Sequence, residues 1–382
     1  MERQTAHVRE PTLSRGASGL VVSELKDSLI EVGALTPAAA LSDVFDVGTE
    51  TAVRYFQQSR GLNVDGIVGP ATTQAIGEAS WQLGDRVLEA HPARELRGDD
   101  VAALQHRLLQ LGFAVGRVDG VFGPVTQQAL AEFQTNVGLP ADGAAGPATF
   151  RALTRLSPVV SGGRADVLRE RELLINSGPR LSGKMVVVDP GHGGEDPGRT
   201  RNGLVEAHLA YDLATRVVEL LSRNGVSALL TRGADDHRTD RQRADFANSR
   251  SADLLVSLHF DAVDSPNATG VATYYYGSGT QPVCSVLGEQ LADLVNREVA
   301  ARTGMVNGGS HPKTWDLLRF TGMPAVHTEL GYLSNADDVA RLGDPLFRDV
   351  LADALIASIQ RLYLPPEMDV STGRLHLRGL LA

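Results

Sequence analysis

The sequence predicts a modular protein: an α/β domain with a mostly parallel sheet flanked by helices, preceded by two small all-α three-helix modules. Three observations carry this. At 382 residues the chain exceeds what one core usually holds. Its first half contains an internal repeat, and from Met185 onward short apolar strands alternate with helical stripes.

In the repeat, Val101-Ala-Ala-Leu-Gln-His-Arg-Leu-Leu-Gln-Leu-Gly112 matches the apolar positions of Val22-Ser-Glu-Leu-Lys-Asp-Ser-Leu-Ile-Glu-Val-Gly33 at an offset of 79 (101 − 22). Further on, Phe133-Gln134, Leu139, Asp142-Gly143 and Gly146-Pro-Ala-Thr149 match Phe56-Gln57, Leu62, Asp65-Gly66 and Gly69-Pro-Ala-Thr72 at 77 (133 − 56). Val22, Leu25, Leu29 and Val32, like Val101, Leu104, Leu108 and Leu111, form an amphipathic helical stripe that ends at a glycine. Asp-Gly turns follow, and the Thr of Gly-Pro-Ala-Thr is expected to cap a second helix carrying Ala52, Val53 and Phe56 or Ala129, Leu130 and Phe133.

Residues 154–184, with Ser161-Gly-Gly163 and Ser177-Gly-Pro179, read as a linker. Met185–Val188 then reads as a buried strand, and Val205, Leu209, Leu213, Val217 and Leu221 as a helix face. Strands follow at Val226–Thr231, Asp253–Phe260, Gly270–Tyr276 and Pro324–Leu330. Helices are expected near Thr239–Asn248, from Pro282 with Cys284, Leu287, Leu291 and Leu294 on one face, and over Leu346–Leu362. Cys284 is read as core packing, and Tyr274–Tyr276 as strand.

Composition narrows the function. Apolar residues at 42% and charged residues at 21% describe a folding chain. The net charge of −10 disfavours nucleic acid as a partner, and no apolar run is long enough for a membrane span. One cysteine cannot build a thiolate cluster, so any metal falls to His and carboxylates.

Three such groups are placed together by strand ends. His192 lies in the turn Asp189-Pro-Gly-His-Gly-Gly194, Glu206 opens the following helix, and His259 ends a strand. Two imidazoles and a carboxylate make a zinc shell with a fourth position open to water. Glu329, near the end of a later strand, is then the candidate general base and acid, which makes the reaction metal-assisted hydrolysis. His208, two residues past Glu206, should point elsewhere on its helix; His311 is read as a loop residue.

Two resemblances sharpen this. The landmarks Leu104-Gln105, Leu111-Gly112-Phe113, Asp119-Gly120, Gly123-Pro-Val-Thr126, Phe133-Gln134, Asp142-Gly143 and Gly146-Pro-Ala-Thr149 resemble a peptidoglycan-binding module; the first copy departs from it at Ser42-Asp-Val-Phe-Asp46. Val187-Val-Asp-Pro-Gly-His-Gly-Gly194, Asp196-Pro-Gly198, Glu206, Leu230-Thr-Arg232, Arg243, Ser257-Leu-His259 and Glu329-Leu-Gly-Tyr-Leu-Ser-Asn335 resemble the zinc N-acetylmuramoyl-L-alanine amidases. That likeness implies zinc held by His192, Glu206 and His259, Glu329 as catalytic acid/base, and cleavage of the amide between the muramic acid lactyl group and L-alanine. It also implies Lys after the glutamate ligand, Asn two past the second histidine and an aliphatic residue two before the catalytic glutamate, where this chain has Ala207, Asp261 and His327.

The expected organisation is a tail at 1–18, modules at 19–80 and 98–153, a linker at 154–184, the amidase domain at 185–364 and a tail at 365–382. Residues 1–10 scatter charges and lack the apolar stretch of an export signal, so the expectation is a cytoplasmic chain, reaching the cell wall only by an unrecognised route. The partners expected of an amidase are peptidoglycan or muropeptides. The alternative is a weakly active or inactive regulator, resembling actinobacterial proteins of this domain order, that binds a cytosolic precursor enzyme such as MurA and offers Thr5, Thr12, Ser14 and Ser18 to a Ser/Thr kinase.

Overall fold

The computed structural model describes residues 12–37, 42–91, 95–156, 172, 178–277, 284–365 and 369–375, in two compact units spanning residues 1–166 and 167–382. Thr5, most of the expected linker, Pro282 and residues 376–382 lie outside the described residues. No helix among them is long and apolar enough to cross a membrane.

The first unit holds the repeat as three helices per copy: α1 (Leu20–Glu31), α2 (Val47–Ser59) and α3 (Pro70–Ala79), then α4 (Asp99–Gln110), α5 (Pro124–Asn136) and α6 (Pro147–Arg155). The apolar stripes turn inward. Val22, Leu29, Val53 and Phe56 are buried in one copy; Val101, Leu104, Leu108, Leu130 and Phe133 in the other.

The turns are held by a recurring polar knot. The buried side chain of Gln105 donates to Asp119, to the Val121 carbonyl and to Thr126 Oγ1, and accepts from the amides of Asp119 and Gly120. Gln134 repeats this with Asp142, Ala144, Thr149 and Gly143, and Gln57 with Asp65, Ile67, Thr72 and Gly66. The capping expectation is thereby corrected: Gly-Pro-Ala-Thr opens α3 and α6, whereas Ala52, Val53 and Phe56 lie on the preceding α2 and Ala129, Leu130 and Phe133 on the preceding α5. Gly69, Gly123 and Gly146 occupy the N-caps with proline next, while each threonine sits inside the first turn and gives its hydroxyl to the knot. At the position of Gln105 the first copy carries the fully buried Lys26, whose ammonium donates to the Ser42 carbonyl and lies 3.9 Å from Asp46. Asp46 in turn caps α2 through the Thr49 amide, so the deviant turn is a different solution to the same burial problem.

The second unit contains a six-stranded sheet in the order β4-β1-β5-β8-β6-β7: β1 (Met185–Pro190), β4 (Ser227–Leu230), β5 (Leu254–Asp261), β6 (Val271–Tyr276), β7 (Asn307–Lys313) and β8 (Ala325–Tyr332). All neighbouring pairs are parallel except β6 with β8, which agrees with the expected mostly parallel sheet. One face packs on α7 (Glu206–Arg223), α9 (Val286–Thr303) and α12 (Pro345–Tyr363). The other packs on α8 (Asp240–Ser249) and α10 (Asp316–Phe320). A short hairpin, β2 (Thr200–Arg201) with β3 (Leu204–Val205), precedes α7, and α11 (Ala336–Gly343) follows β8.

Four details differ from the sequence reading. The segment around His311 is edge strand β7, its pattern masked by Gly308, Gly309 and Pro312. Cys284 precedes α9, whose cap is Ser285, and packs partly buried against the core rather than on the helix stripe. Leu181 already belongs to the core, and beyond Pro365 the Arg361 guanidinium donates to the carbonyls of Val370 and Ser371.

The knot yields a prediction. Gln105→Leu takes a hydrogen-bond partner from Asp119, Thr126 and three backbone groups, and is expected to destabilise the first unit by about 2–4 kcal/mol. Thermal melting of the variant checks this.

Candidate metal centre

Three neighbouring strands and one helix start build the site at the carboxyl ends of the parallel strands. After β1 the chain turns through Gly191-His192-Gly193-Gly194, with His192 itself in the left-handed region at φ 55°. A Cβ on Gly191 would stand 2.2 Å from the His259 ring, and one on Gly198 2.5 Å from both Glu206 and His192. Side chains larger than hydrogen at these two places would fill the site.

Glu206, 2% exposed, begins α7 and points its carboxylate between the rings. Its Oε1 lies 3.1 Å from His192 Nε2 and 2.9 Å from His259 Nδ1, and accepts from the Phe260 amide; Oε2 accepts from the Arg199 amide. Burial alone would raise the Glu206 carboxyl, but the bonds to His192 and His259 outweigh it and hold the group well below the carboxylate range. Burial would likewise lower His192; its bonds to Glu206 and Asp196 raise it to about 9. Asp196 Oδ2, 2.7 Å from His192 Nδ1, fixes the ring's far side. His259 is lowered by burial and by nearby His327.

The His192 turn is clamped from below. Buried Asp189 accepts from Thr231, from Ser257 at 2.6 Å and from Arg243 at 2.6 Å. Arg243 also donates to the carbonyls of Pro190 and His192, and Arg232 to those of Pro190, Gly191 and Ala207. Burial pushes the Asp189 carboxyl up, yet Arg243 and the two hydroxyls bring it below its ordinary value.

Glu329 stands opposite His259 in the β5–β8 register. Its Oε1 lies 3.1 Å from His327 Nε2, and burial pushes its carboxyl up to about 8 and the His327 ring down to about 4. Asp261 lies beyond a register shift, paired with Arg199 at 3.3 Å. His208 is exposed on α7, as expected; His311 is exposed on β7 with Nε2 2.9 Å from the Gly308 carbonyl.

Among the described residues, two His/carboxylate triplets are close enough to consider for a metal: His192, Glu206 and His259, and His259, His327 and Glu329. Ring orientation decides between them. His192 and His259 meet edge to face at 78°, and their nitrogens converge on one oxygen at separations near the ~3.3 Å between ligands of a tetrahedral ion with bonds of about 2.0 Å. His259 and His327 are stacked at 4.0 Å and 19°, so their in-plane lone pairs run side by side instead of meeting. The first triplet fits a borderline divalent ion such as zinc.

A helical repeat joined to a parallel-sheet unit with His, Glu and His gathered at the strand ends defines a modular α/β protein with a candidate hydrolytic centre. Comparison with known proteins gives the family. The N-acetylmuramoyl-L-alanine amidase pattern matches residues 186–361, and a peptidoglycan binding domain pattern matches residues 18–76 and 97–153. The sequence is 42% identical over 379 residues to the N-acetylmuramoyl-L-alanine amidase CwlM of Mycobacterium tuberculosis, covering 96% of this chain and 93% of that one. It is 32% identical over 173 residues to the N-acetylmuramoyl-L-alanine amidase LytC of Bacillus subtilis, covering 45% of this chain and 34% of that one. Among solved structures, the amidase AmiC2 of Nostoc punctiforme matches 47% of this chain and 97% of its own at 32% identity, with a TM-score of 0.44. The chain belongs to the N-acetylmuramoyl-L-alanine amidase family.

The clamp is directly testable. Removing the buried charge of Asp189 leaves Arg243 uncompensated, so Asp189→Asn is expected to cost about 3–5 kcal/mol in urea unfolding at neutral pH. Because the folded carboxyl lies below its usual 3.8, that contribution is complete above this pH. The gap between wild type and variant should narrow only as pH falls below it.

Proposed function

We propose that this chain is a zinc-dependent amidase that hydrolyses the bond between the lactyl group of N-acetylmuramic acid and L-alanine. The observation carrying the reading is the convergence of His192 Nε2 and His259 Nδ1 on Oε1 of the buried Glu206. These three side chains are the proposed zinc ligands. When bound, zinc supplies Lewis acidity and lowers the pKa of a water toward ~7.

The chain's own residues supply the rest. Asp196 and the Glu206 backbone donors hold the ligands in orientation, and the Arg232 and Arg243 clamp keeps the His192 turn from relaxing. Glu329, set opposite His259 by the strand register, is placed to take a proton from the attacking water and return it to the leaving amine nitrogen. The modules proposed at 19–80 and 98–153 tether the α/β domain to peptidoglycan and raise its effective concentration there.

A second reading, a docking regulator of a cytosolic precursor enzyme such as MurA with kinase control through the N-terminal Thr and Ser residues, draws on Asp261 and His327 replacing the residues the family resemblance implies. Both replacements leave the three-ligand convergence in place, which favours hydrolysis.

The test uses the full chain, zinc and purified muropeptides. Wild type should bind one zinc and release peptides headed by L-alanine; Glu206→Gln should lose metal and activity together. Glu329→Gln should keep the metal while kcat falls about 10²–10⁴-fold. Turnover by this variant at the wild-type rate removes Glu329 from its role, and a metal-free, inactive wild type that captures MurA from cytosol replaces hydrolysis with docking.

A further inference from the structure

His327 stands where the family resemblance implies an aliphatic side chain, and its surroundings fix it tightly. The ring is stacked on His259 with centroids 4.0 Å apart, meets the Trp315 ring at 4.7 Å and 71°, and meets the Tyr274 ring at 5.9 Å and 66°. Two of these walls arise from the sheet register: Tyr274 lies opposite His327 across β6 and β8, and Ser257, two residues before His259, lies opposite it across β5 and β8; the third, Trp315, caps the start of α10. A flat ring held between them cannot swing away without moving all three. Its Nε2 is 3.1 Å from Glu329 Oε1. Glu329 Oε2, by contrast, is buried with no hydrogen-bond partner among the described residues. The two oxygens of one carboxylate are therefore unequal.

We propose, on the hydrolytic reading above, that His327 is a positioning residue: as the Nε2–H tautomer it donates to Glu329 Oε1 and reserves Oε2 for the proton in transit. Oε2 takes that proton from water as the water oxygen bonds to the amide carbon. It gives the same proton to the nitrogen as the carbon–nitrogen bond breaks, and the carboxylate is restored. The Nε2 proton stays on the ring throughout, so His327 contributes orientation and no net transfer. Without the donor, the carboxylate can rotate about its terminal torsion, which has broad, roughly two-fold preferences. A misaligned base lowers the chemical step and leaves substrate binding alone.

The experiment compares wild type with His327→Val, His327→Gln and His327→Asn in the full chain, reading zinc content, melting temperature, kcat and KM on muropeptides. Val removes the donor; Gln keeps an N–H at comparable reach; Asn keeps one that falls short. His327→Val and His327→Asn should lower kcat about tenfold or more with KM and zinc content unchanged, and His327→Gln should recover most of the loss. If Val fails to fold, the contrast between Gln and Asn carries the test. Equal kcat in all four proteins, a loss seen in KM or zinc content instead, or no recovery by Gln overturns the proposal.

A second readout does not depend on turnover. In protein labelled with ¹⁵N-histidine, the ring signal that His327→Gln removes should belong to an Nε2–H tautomer and should shift in Glu329→Gln, with or without zinc. An Nδ1–H tautomer, or a signal unmoved by Glu329→Gln, overturns it. An inactive wild type whose signal behaves as expected would instead strike the hydrolytic reading and leave the hydrogen bond standing.

Discussion

A carboxylate with almost no exposure, set between two imidazoles, is the constraint from which the α/β unit is organised. Burying Glu206 as an anion is costly unless every lone pair finds a partner. It finds them in His192, His259 and the backbone amides of Arg199 and Phe260, drawn from the turn after β1, from β5 and from the segment just before α7. The start of α7 adds a favourable dipole. Gly191 and Gly198 have no side chain because the His259 ring and the Glu206 carboxylate occupy that space. The left-handed backbone of His192 is held by guanidinium groups reaching its carbonyl and those of its two predecessors. Glu329 then needs only the strand register to stand beside His259.

The helical unit solves a smaller version of the same problem. Each copy is too small to depend on apolar burial alone, and the chain has one cysteine, so no internal disulfide can staple it. Stability comes instead from buried amides that close the turns. Gln57, Gln105 and Gln134 each satisfy a turn's amide and carbonyl while holding an aspartate and a threonine. A fully satisfied buried polar network specifies one turn conformation, and a partly satisfied one would be worse than none. Lys26 shows the same position accepting a charge once Ser42 and Asp46 are arranged to receive it.

Much of this was legible in the sequence because it rests on period and spacing. The helical stripes, the strand and helix alternation and the gathering of His192, Glu206 and His259 follow from apolar periodicity and from glycine-rich turns after strands. Strand β7 was not legible, since an edge strand partly open to solvent tolerates Gly308, Gly309 and Pro312 and shows no alternation. Nor was the work of the threonines in the knots, because a hydroxyl near a helix start fits a cap equally well on sequence alone. Asp189, Thr231 and Ser257 meet across three strands at separations no local pattern encodes, and Asp196 gains its role only once His192 has turned toward Glu206. Alternation of strand side chains puts His327 and Glu329 on one face of β8, whereas the stacking of His327 on His259 depends on the register between β5 and β8.

The most direct test of this account is X-ray absorption at the zinc edge of the metal-loaded full chain. The account predicts a nitrogen and oxygen shell without sulfur, and outer-shell scattering from two imidazoles, both lost from the spectrum in a His192→Ala, His259→Ala double variant. Scattering from three imidazoles would place His327 on the metal and contradict the assignment of the ligand set; a spectrum indistinguishable from aqueous zinc would contradict the centre itself.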